Sequence, residues 1–400
     1  MQKVILPNGL TILFVPKKGN SVVVEALIKV GSDNEKKDER GISHFIEHIL
    51  FEGTKKRPTN HKISNDIEKL GGDLNAYTTN DRTCFYIKVL KKHFKIAIDV
   101  LLDILQNPLM DEKNMEKEKN VVIKEIEMVH DEPRFYQWDF LQKNIFEKNP
   151  AKNPVYGDKE IVKNLTREKV RTYFDQYYCP NNMIISIVGD VKNWKKLIQE
   201  KFVNPKRTVP KFKIIQEPLA KKNKIKKETR DIASTYAVMG FKTVPCNHKD
   251  SYALEIIDAI LGRGQSGRMF TEIRTKKGLA YDVGTQNINE PNYGYFAIYA
   301  SIDKKNIDTT KKLILQELKK LENIRENDLK EAKTFIEGQY YLEMEDAQKI
   351  ADQILFWEKV KDTKLLKEFI KKIKKVTIND VKKVAKKYFN HYTFVVIQGK

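Results

Sequence analysis

The chain has 400 residues, too many for one typical domain, and 40% of them are hydrophobic, enough to bury more than one core. It carries 74 lysines and arginines against 54 acidic residues, a formal charge of +20, with the lysines spread along the whole chain. The three cysteines, Cys84, Cys179 and Cys246, form no C-x-x-C pair, which disfavours a disulfide framework and a cysteine-only metal site and fits a reducing, cytoplasmic setting.

The opening residues, MQKVILPNGLTILFVPKKGN, predict two short strands around an Asn-Gly turn. They lack the apolar region and cleavage site of a signal peptide. No run of eighteen apolar residues occurs, so no membrane span is expected. SVVVEALIKVGS (21–32) predicts a strand. Next comes GISHFIEHILFEGTKK (41–56), with the spacing of an amphipathic helix.

His44 and His48 are four residues apart, so their imidazoles leave one helix face a turn apart. Two such nitrogens can share one Zn²⁺ at about 2.0–2.1 Å. Glu47 lies beside the same face, where a carboxylate can take a proton from water. Phe45, Ile46, Ile49 and Leu50 make the helix largely buried. A pair of satisfied core histidines is the ordinary alternative, but two histidines and a glutamate in the order H-x-x-E-H match the inverzincin zinc-peptidase motif.

GGDLNAYT (71–78) predicts a turn feeding a strand. An edge strand there would accept an extended peptide by backbone pairing; an internal strand would not. DEKNMEKEKNVVIKEIEMVHDEP (111–133) predicts a long helix ended by the Asp-Glu-Pro break. A zinc hydrolase needs a third protein ligand. From spacing alone, Glu116, Glu118, Glu125 and Glu127 are all candidates for it.

Two stretches repeat at an offset of 211 residues. LTREKVRTYFDQYYCPNNMIISIVGD (165–190) falls on VTINDVKKVAKKYFNHYTFVVIQGK (376–400), and the strand at 21–32 falls on IASTYAVMGFKT (232–243). Two copies of one α+β unit are therefore expected: residues 1–205, a joint at 206–228 rich in lysine with Pro210 and Pro218, and residues 229–400. The basic run AKKNKIKKETR (220–230) falls in that joint. At the same offset His44, Glu47 and His48 fall on Glu255, Asp258 and Ala259, so the second copy keeps the helix pattern without histidines. GRGQSGR (262–268) follows a helix-like segment, which makes it a poor phosphate loop. KKLILQELKKLENIRENDLKEAK (311–333) reads as solvated helix faces with i,i+4 ion pairs. That reading accounts for the basic charge without nucleic acid.

Taken together, LPNGLTILFVP, VGSDNE, GISHFIEHILFEGTKKRP, LGGDLNAYTTNDRTCFY, MEKEKNVVIKEIEM, YYCPNNMIISIVGD and GQSGRMFTEIRTKKGLAYDVG cover most of the chain. They resemble the pitrilysin, insulin-degrading enzyme and mitochondrial processing peptidase family, in its short single-half branch. The resemblance implies two α/β-sandwich units in tandem forming half of a clamshell, each a mixed or antiparallel sheet with helices packed on it. It also implies a zinc endopeptidase of unfolded peptides with one Zn²⁺ per chain, held by His44, His48 and Glu116, with Glu118 in reserve. Glu47 would be the base. Asn75, Ala76 and Tyr77 would pair with the substrate backbone. Arg274 and Tyr281 would act across a homodimer interface that encloses the site. Neither nucleic acid nor membrane is an expected partner. A non-catalytic core subunit of a family complex is the second reading.

Overall fold

Alternation of apolar and polar residues on either side of Asn8-Gly9 gives the hairpin of β1 (Gln2–Ile5) and β2 (Thr11–Val15). From there the computed structural model describes residues 1–212 and 214–400. The first half continues with β3 (Ser21–Ile28), α1 (Ile42–Leu50), α2 (Asn60–Glu68), β4 (Asp73–Thr78), β5 (Thr83–Leu90), α3 (Phe94–Gln106) and α4 (Glu112–Asp131). It ends with α5 (Pro133–Ile145), α6 (Lys159–Lys163), α7 (Arg167–Tyr177), β6 (Met183–Gly189) and α8 (Trp194–Lys201). The second half runs β7 (Lys224–Arg230), β8 (Thr235–Lys242), α9 (Ser251–Gly262), β9 (Ala280–Asn289), β10 (Gly294–Ile302), α10 (Ile307–Lys319) and α11 (Glu326–Glu343). It closes with α12 (Ala347–Val360), α13 (Lys364–Lys375), α14 (Ile378–Tyr388) and β11 (Thr393–Gly399).

The repeat is real at the level of elements. Arg167–Tyr177 recurs as Ile378–Tyr388, 211 residues on at both ends. One sheet has the order β1-β2-β6-β3-β5-β4 and the other β7-β11-β8-β10-β9. In both, the strand that follows the last long helix (β6 or β11) runs parallel to one neighbour and antiparallel to the other.

The chain forms two units, but they do not follow the expected boundary. One holds Met1–Glu127, Asn153–Lys213 and Glu343–Leu366; the other holds Met128–Lys152, Ile214–Leu342 and Lys367–Lys400. Each half thus gives one helix to the other half's sheet. Within the first unit, the central strand β3 is buried on both faces and apolar except for Ser21 and Glu25, as suits a strand covered on both sides. One face meets α3, with α1 alongside on β4 and β5; α12 packs on β3 and β6. Gln348 donates to the buried Glu25 (2.8 Å), Lys88 pairs with Asp346 (3.1 Å), Lys359 pairs with Asp81, and Arg82 stacks over Phe356. Within the second unit, α5 packs on β8 and β11 through Leu141 and Ile145. The expected joint also ends early: residues 224–230 of the basic run form β7, paired with β11. Lys213, within that joint, lies outside the described residues. All three cysteines are buried and free. No helix among the described residues is long and apolar enough to cross a membrane.

Candidate metal centre

α1 begins where the chain can turn into a helix only with a glycine. Gly41 has φ of +95°, and a Cβ there would lie 2.6 Å from the Tyr156 carbonyl oxygen. Glycine brings no capping side chain, and Glu35 does that work: its carboxylate accepts from the backbone N–H of Gly41 (2.8 Å) and Ser43 (2.9 Å). Ile42, Phe45, Ile46, Ile49 and Leu50 are fully buried and fix the helix against the sheet. His44 and His48 leave the remaining face with their ring centroids 4.7 Å apart.

The third member comes from α4. Glu125 Oε2 lies 3.7 Å from His44 Nε2 and 3.5 Å from His48 Nε2, and the three side chains bring one ligand atom each within 4.8 Å of one another. Glu116 does not face the histidines. Its side chain is 69% exposed and accepts from Lys119 (2.6 Å), so the choice of Glu116 is corrected to Glu125. Glu118, held in reserve, sits behind the group: His48 Nδ1 donates to its Oε2 (3.3 Å), which frees Nε2 to face Glu125. Glu118 and Glu125 are seven residues apart, two turns of one face, on the stripe that also buries Val122 and Ile126. A carboxylate on the apolar stripe of an amphipathic helix is the signal that separates Glu125 from the other candidates that spacing left open.

The two carboxylates draw positive charge to the histidine pair, and His48 rather than His44 carries it. Burial and the neighbouring His48 hold His44 well below the usual imidazole range, near 4, so that it is neutral. Burial opposes charge on His48 too, but hydrogen bonds to Glu118 and Glu125 overcome it and push it up to about 9. His44 Nδ1 is buried with no partner. Two imidazoles and one carboxylate, with a further carboxylate fixing one ring, is the donor set of catalytic zinc sites. The residues fit that ion.

Glu47 is held from the sheet. Thr78, at the end of β4, donates to its Oε2 (2.5 Å). Burial raises the Glu47 carboxyl above its ordinary range, against the pull of Thr78 and His48, which favours proton transfer nearer neutral pH. No sequence signal had singled out Thr78. In the second unit Thr285 donates in the same way to Asp258 (2.5 Å), the residue at the Glu47 position, although the 211-residue offset places Asn289 at the Thr78 position. Thr78→Val should therefore lower kcat by roughly tenfold with bound metal unchanged, and Thr78→Ser should restore it. Equal kcat in the valine variant would remove Thr78 from the site.

The other expected residues are placed as follows. Asn75, Ala76 and Tyr77 lie on β4, at the end of its sheet and paired only with β5 among the described residues. The Tyr77 hydroxyl donates to Asp352 and Glu25, so its ring is tied to the α12 face. Arg274 and Tyr281 belong to the second unit. Arg274 is exposed and stacks over Phe270 in a π-helical turn (Phe270–Thr275); Tyr281, on β9, is 68% exposed.

At the repeat positions of the metal group the second unit carries Glu255, which accepts from Asn287 (3.0 Å) and Asn289 (2.9 Å), and Asp258. Burial, then the like charge of Asp258, pushes the Glu255 carboxyl up to about 8. A raised folded-state value favours the neutral acid. Its contribution to stability is complete below the ordinary value of 4.5 and is lost as pH rises through about 8. Glu255→Gln keeps a neutral group of the same shape. The variant's Tm should fall less than that of the parent over that window, and parallel Tm profiles would contradict the assignment.

An inverted H-x-x-E-H helix, a third carboxylate from a second helix and a two-unit α/β frame define the class of zinc-dependent metallopeptidases. Comparison with known proteins agrees. The chain belongs to peptidase family M16: residues 12–159 match the family described as Insulinase (Peptidase family M16), and residues 164–335 match Peptidase M16 inactive domain. It is 30% identical to the uncharacterized zinc protease YmxG of Bacillus subtilis over 86% of this chain and 82% of the relative. To a probable mitochondrial-processing peptidase subunit beta of Arabidopsis thaliana it is 28% identical over 96% of this chain and 75% of the relative. The same fold occurs in a protease from Helicobacter pylori, with a TM-score of 0.93, 23% identity and 99% of both chains covered.

Proposed function

We propose that this protein is a zinc-dependent endopeptidase that cuts unfolded peptides inside a chamber enclosed by a homodimer, in a cytoplasmic setting. The observation that carries the reading is the convergence of His44, His48 and Glu125, with Glu47 beside them under the hydroxyl of Thr78. One zinc per chain, bound there, would supply Lewis-acid polarisation of the scissile carbonyl and a more acidic water. Glu47 takes a proton from the attacking water and returns it to the leaving amine. The backbone of Asn75, Ala76 and Tyr77 on β4 holds an extended peptide as an added strand. Arg274 and Tyr281 of the second subunit donate to the substrate carbonyl as charge develops on it.

The second reading, a non-catalytic core subunit, draws on the inactive-domain match at 164–335. The absence of histidine from α9 fits an inactive second half. The complete His-His-Glu group in the first half favours catalysis. Subunit mixing tests the composite site. His44→Ala and Tyr281→Phe should each be nearly dead as homodimers, and their mixture should regain activity, at most about half of normal per heterodimer. A mixture that stays dead while heterodimers form places the pair within its own chain, and a fully active monomer refutes the dimer.

A further inference from the structure

The two histidines of the metal group are not held alike. The His48 ring is oriented by Glu118 through Nδ1. The His44 ring has no such support, since its Nδ1 is buried without a partner. Its position therefore depends on the backbone that carries it. That backbone is the start of a short helix. α1 has nine residues, with His44 the third of them, and helices under about 12–15 residues are marginal on their own. Fraying of the first turn would carry His44 away from His48 and Glu125.

The first turn is held by a side chain from outside the helix. Glu35 takes the N–H of Gly41 on Oε2 (2.8 Å) and that of Ser43 on Oε1 (2.9 Å), so one carboxylate grips the chain on both sides of Ile42 and directly before His44. The Glu39 carbonyl accepts from Ile42 N–H (2.9 Å), and the Tyr173 hydroxyl of α7 lies 3.0 Å from Ser43 Oγ.

Glu35 is in turn anchored to the sheet. The N–H groups of Ser32 and Asp33 donate to the carbonyl oxygens of Thr79 (3.2 Å) and Asn80 (2.6 Å), and Asn80 Nδ2 donates to Ser32 Oγ (3.1 Å). Gly31 permits this approach, because a Cβ there would lie 2.3 Å from the Thr79 carbonyl oxygen. The Glu35 N–H bonds back to the Ser32 carbonyl (3.3 Å). Thr79 and Asn80 follow Thr78, the residue that holds Glu47. The end of β4 thus reaches the metal group twice, through Thr78 to Glu47 and through Glu35 to the backbone beside His44.

We propose that Glu35 is a positioning residue of the metal centre, which fixes His44 by tying the first turn of α1 to the end of β4. The inference rests on the metal-centre reading and goes beyond it in assigning a residue that touches neither metal ligand atoms nor substrate.

The test separates positioning from simple capping. Zinc affinity is measured by competition with a chelating dye for the full-length parent, Glu35→Ala, Glu35→Gln and Thr377→Ala, and the Tm of each zinc-free protein is read alongside. Thr377 caps α14 in the second unit, so its loss lowers Tm while leaving the metal group alone. Glu35→Ala should weaken zinc binding roughly tenfold, the scale seen when a group that orients a ligand is removed. Glu35→Gln keeps one acceptor oxygen and should lose less. Thr377→Ala should bind zinc as the parent does. Cobalt(II) loading gives a second readout: the visible bands, which report ligand geometry, should change in the Glu35 variants and match the parent in Thr377→Ala. If Glu35→Ala does not fold, Glu35→Gln carries the same test. Parental zinc affinity and parental cobalt bands in the Glu35 variants, with only Tm lowered, make Glu35 a cap and overturn the proposal alone. A parent that binds no zinc removes the metal-centre reading and this inference with it.

Discussion

Changing Glu125 to glutamine is expected to strip zinc from the protein, while the same change at Glu116 leaves it in place. Both residues lie on α4, and the difference is one of facing. Glu125 Oε2 is within 3.7 Å of both histidine Nε2 atoms, whereas Glu116 points into solvent toward Lys119. A catalytic zinc ion needs three protein ligands, and two imidazoles alone hold it weakly. Metal analysis after dialysis should therefore give about one zinc per chain for Glu116→Gln and near zero for Glu125→Gln. Glu118→Gln should fall between, with affinity weakened about 10–100-fold, because Glu118 orients the His48 ring and contributes no ligand atom. Zinc retained by Glu125→Gln and lost by Glu116→Gln would reverse the assignment.

The second large effect is on turnover. Glu47→Gln keeps the size and the hydrogen bond from Thr78 but cannot accept a proton from water. It should retain its zinc, since Glu47 is not among the converging ligand atoms. Peptide cleavage should drop by roughly 10²–10⁴-fold, the usual weight of a positioned general base. The split between metal content and rate is what identifies the role. A variant that loses zinc and rate together would make Glu47 a ligand, and one that keeps full rate would remove it from the chemistry.

What could be read in the sequence follows the range of the interaction. H-x-x-E-H is legible because a helix places residues three and four apart on one face, whatever surrounds it. The tandem repeat is legible because both copies of α7 and β6 keep the same capped helix, turn and apolar strand. The exchange of α5 and α12 was not legible. An apolar stripe shows that a helix has a face to bury, but Leu141 and Ile145 would read the same under either sheet. Spacing leaves Glu125 among four candidate carboxylates, and it is passed over because the resemblance is laid on Glu116. The buried stripe of α4, with Glu118 and Glu125 on it, carries the better signal. Thr78 and Glu47 are 31 residues apart and meet only once β4 is laid beside α1.

The most direct test of the central claim is cleavage of a quenched-fluorescent, unstructured peptide by the purified protein, before and after removal of metal with a chelator. Activity should vanish on stripping and return as zinc is added back, levelling off near one ion per chain, with Glu47→Gln silent throughout. A stripped protein that cuts the peptide as fast as before, or a fully zinc-loaded protein that cuts none in either its free or its dimeric form, would contradict it.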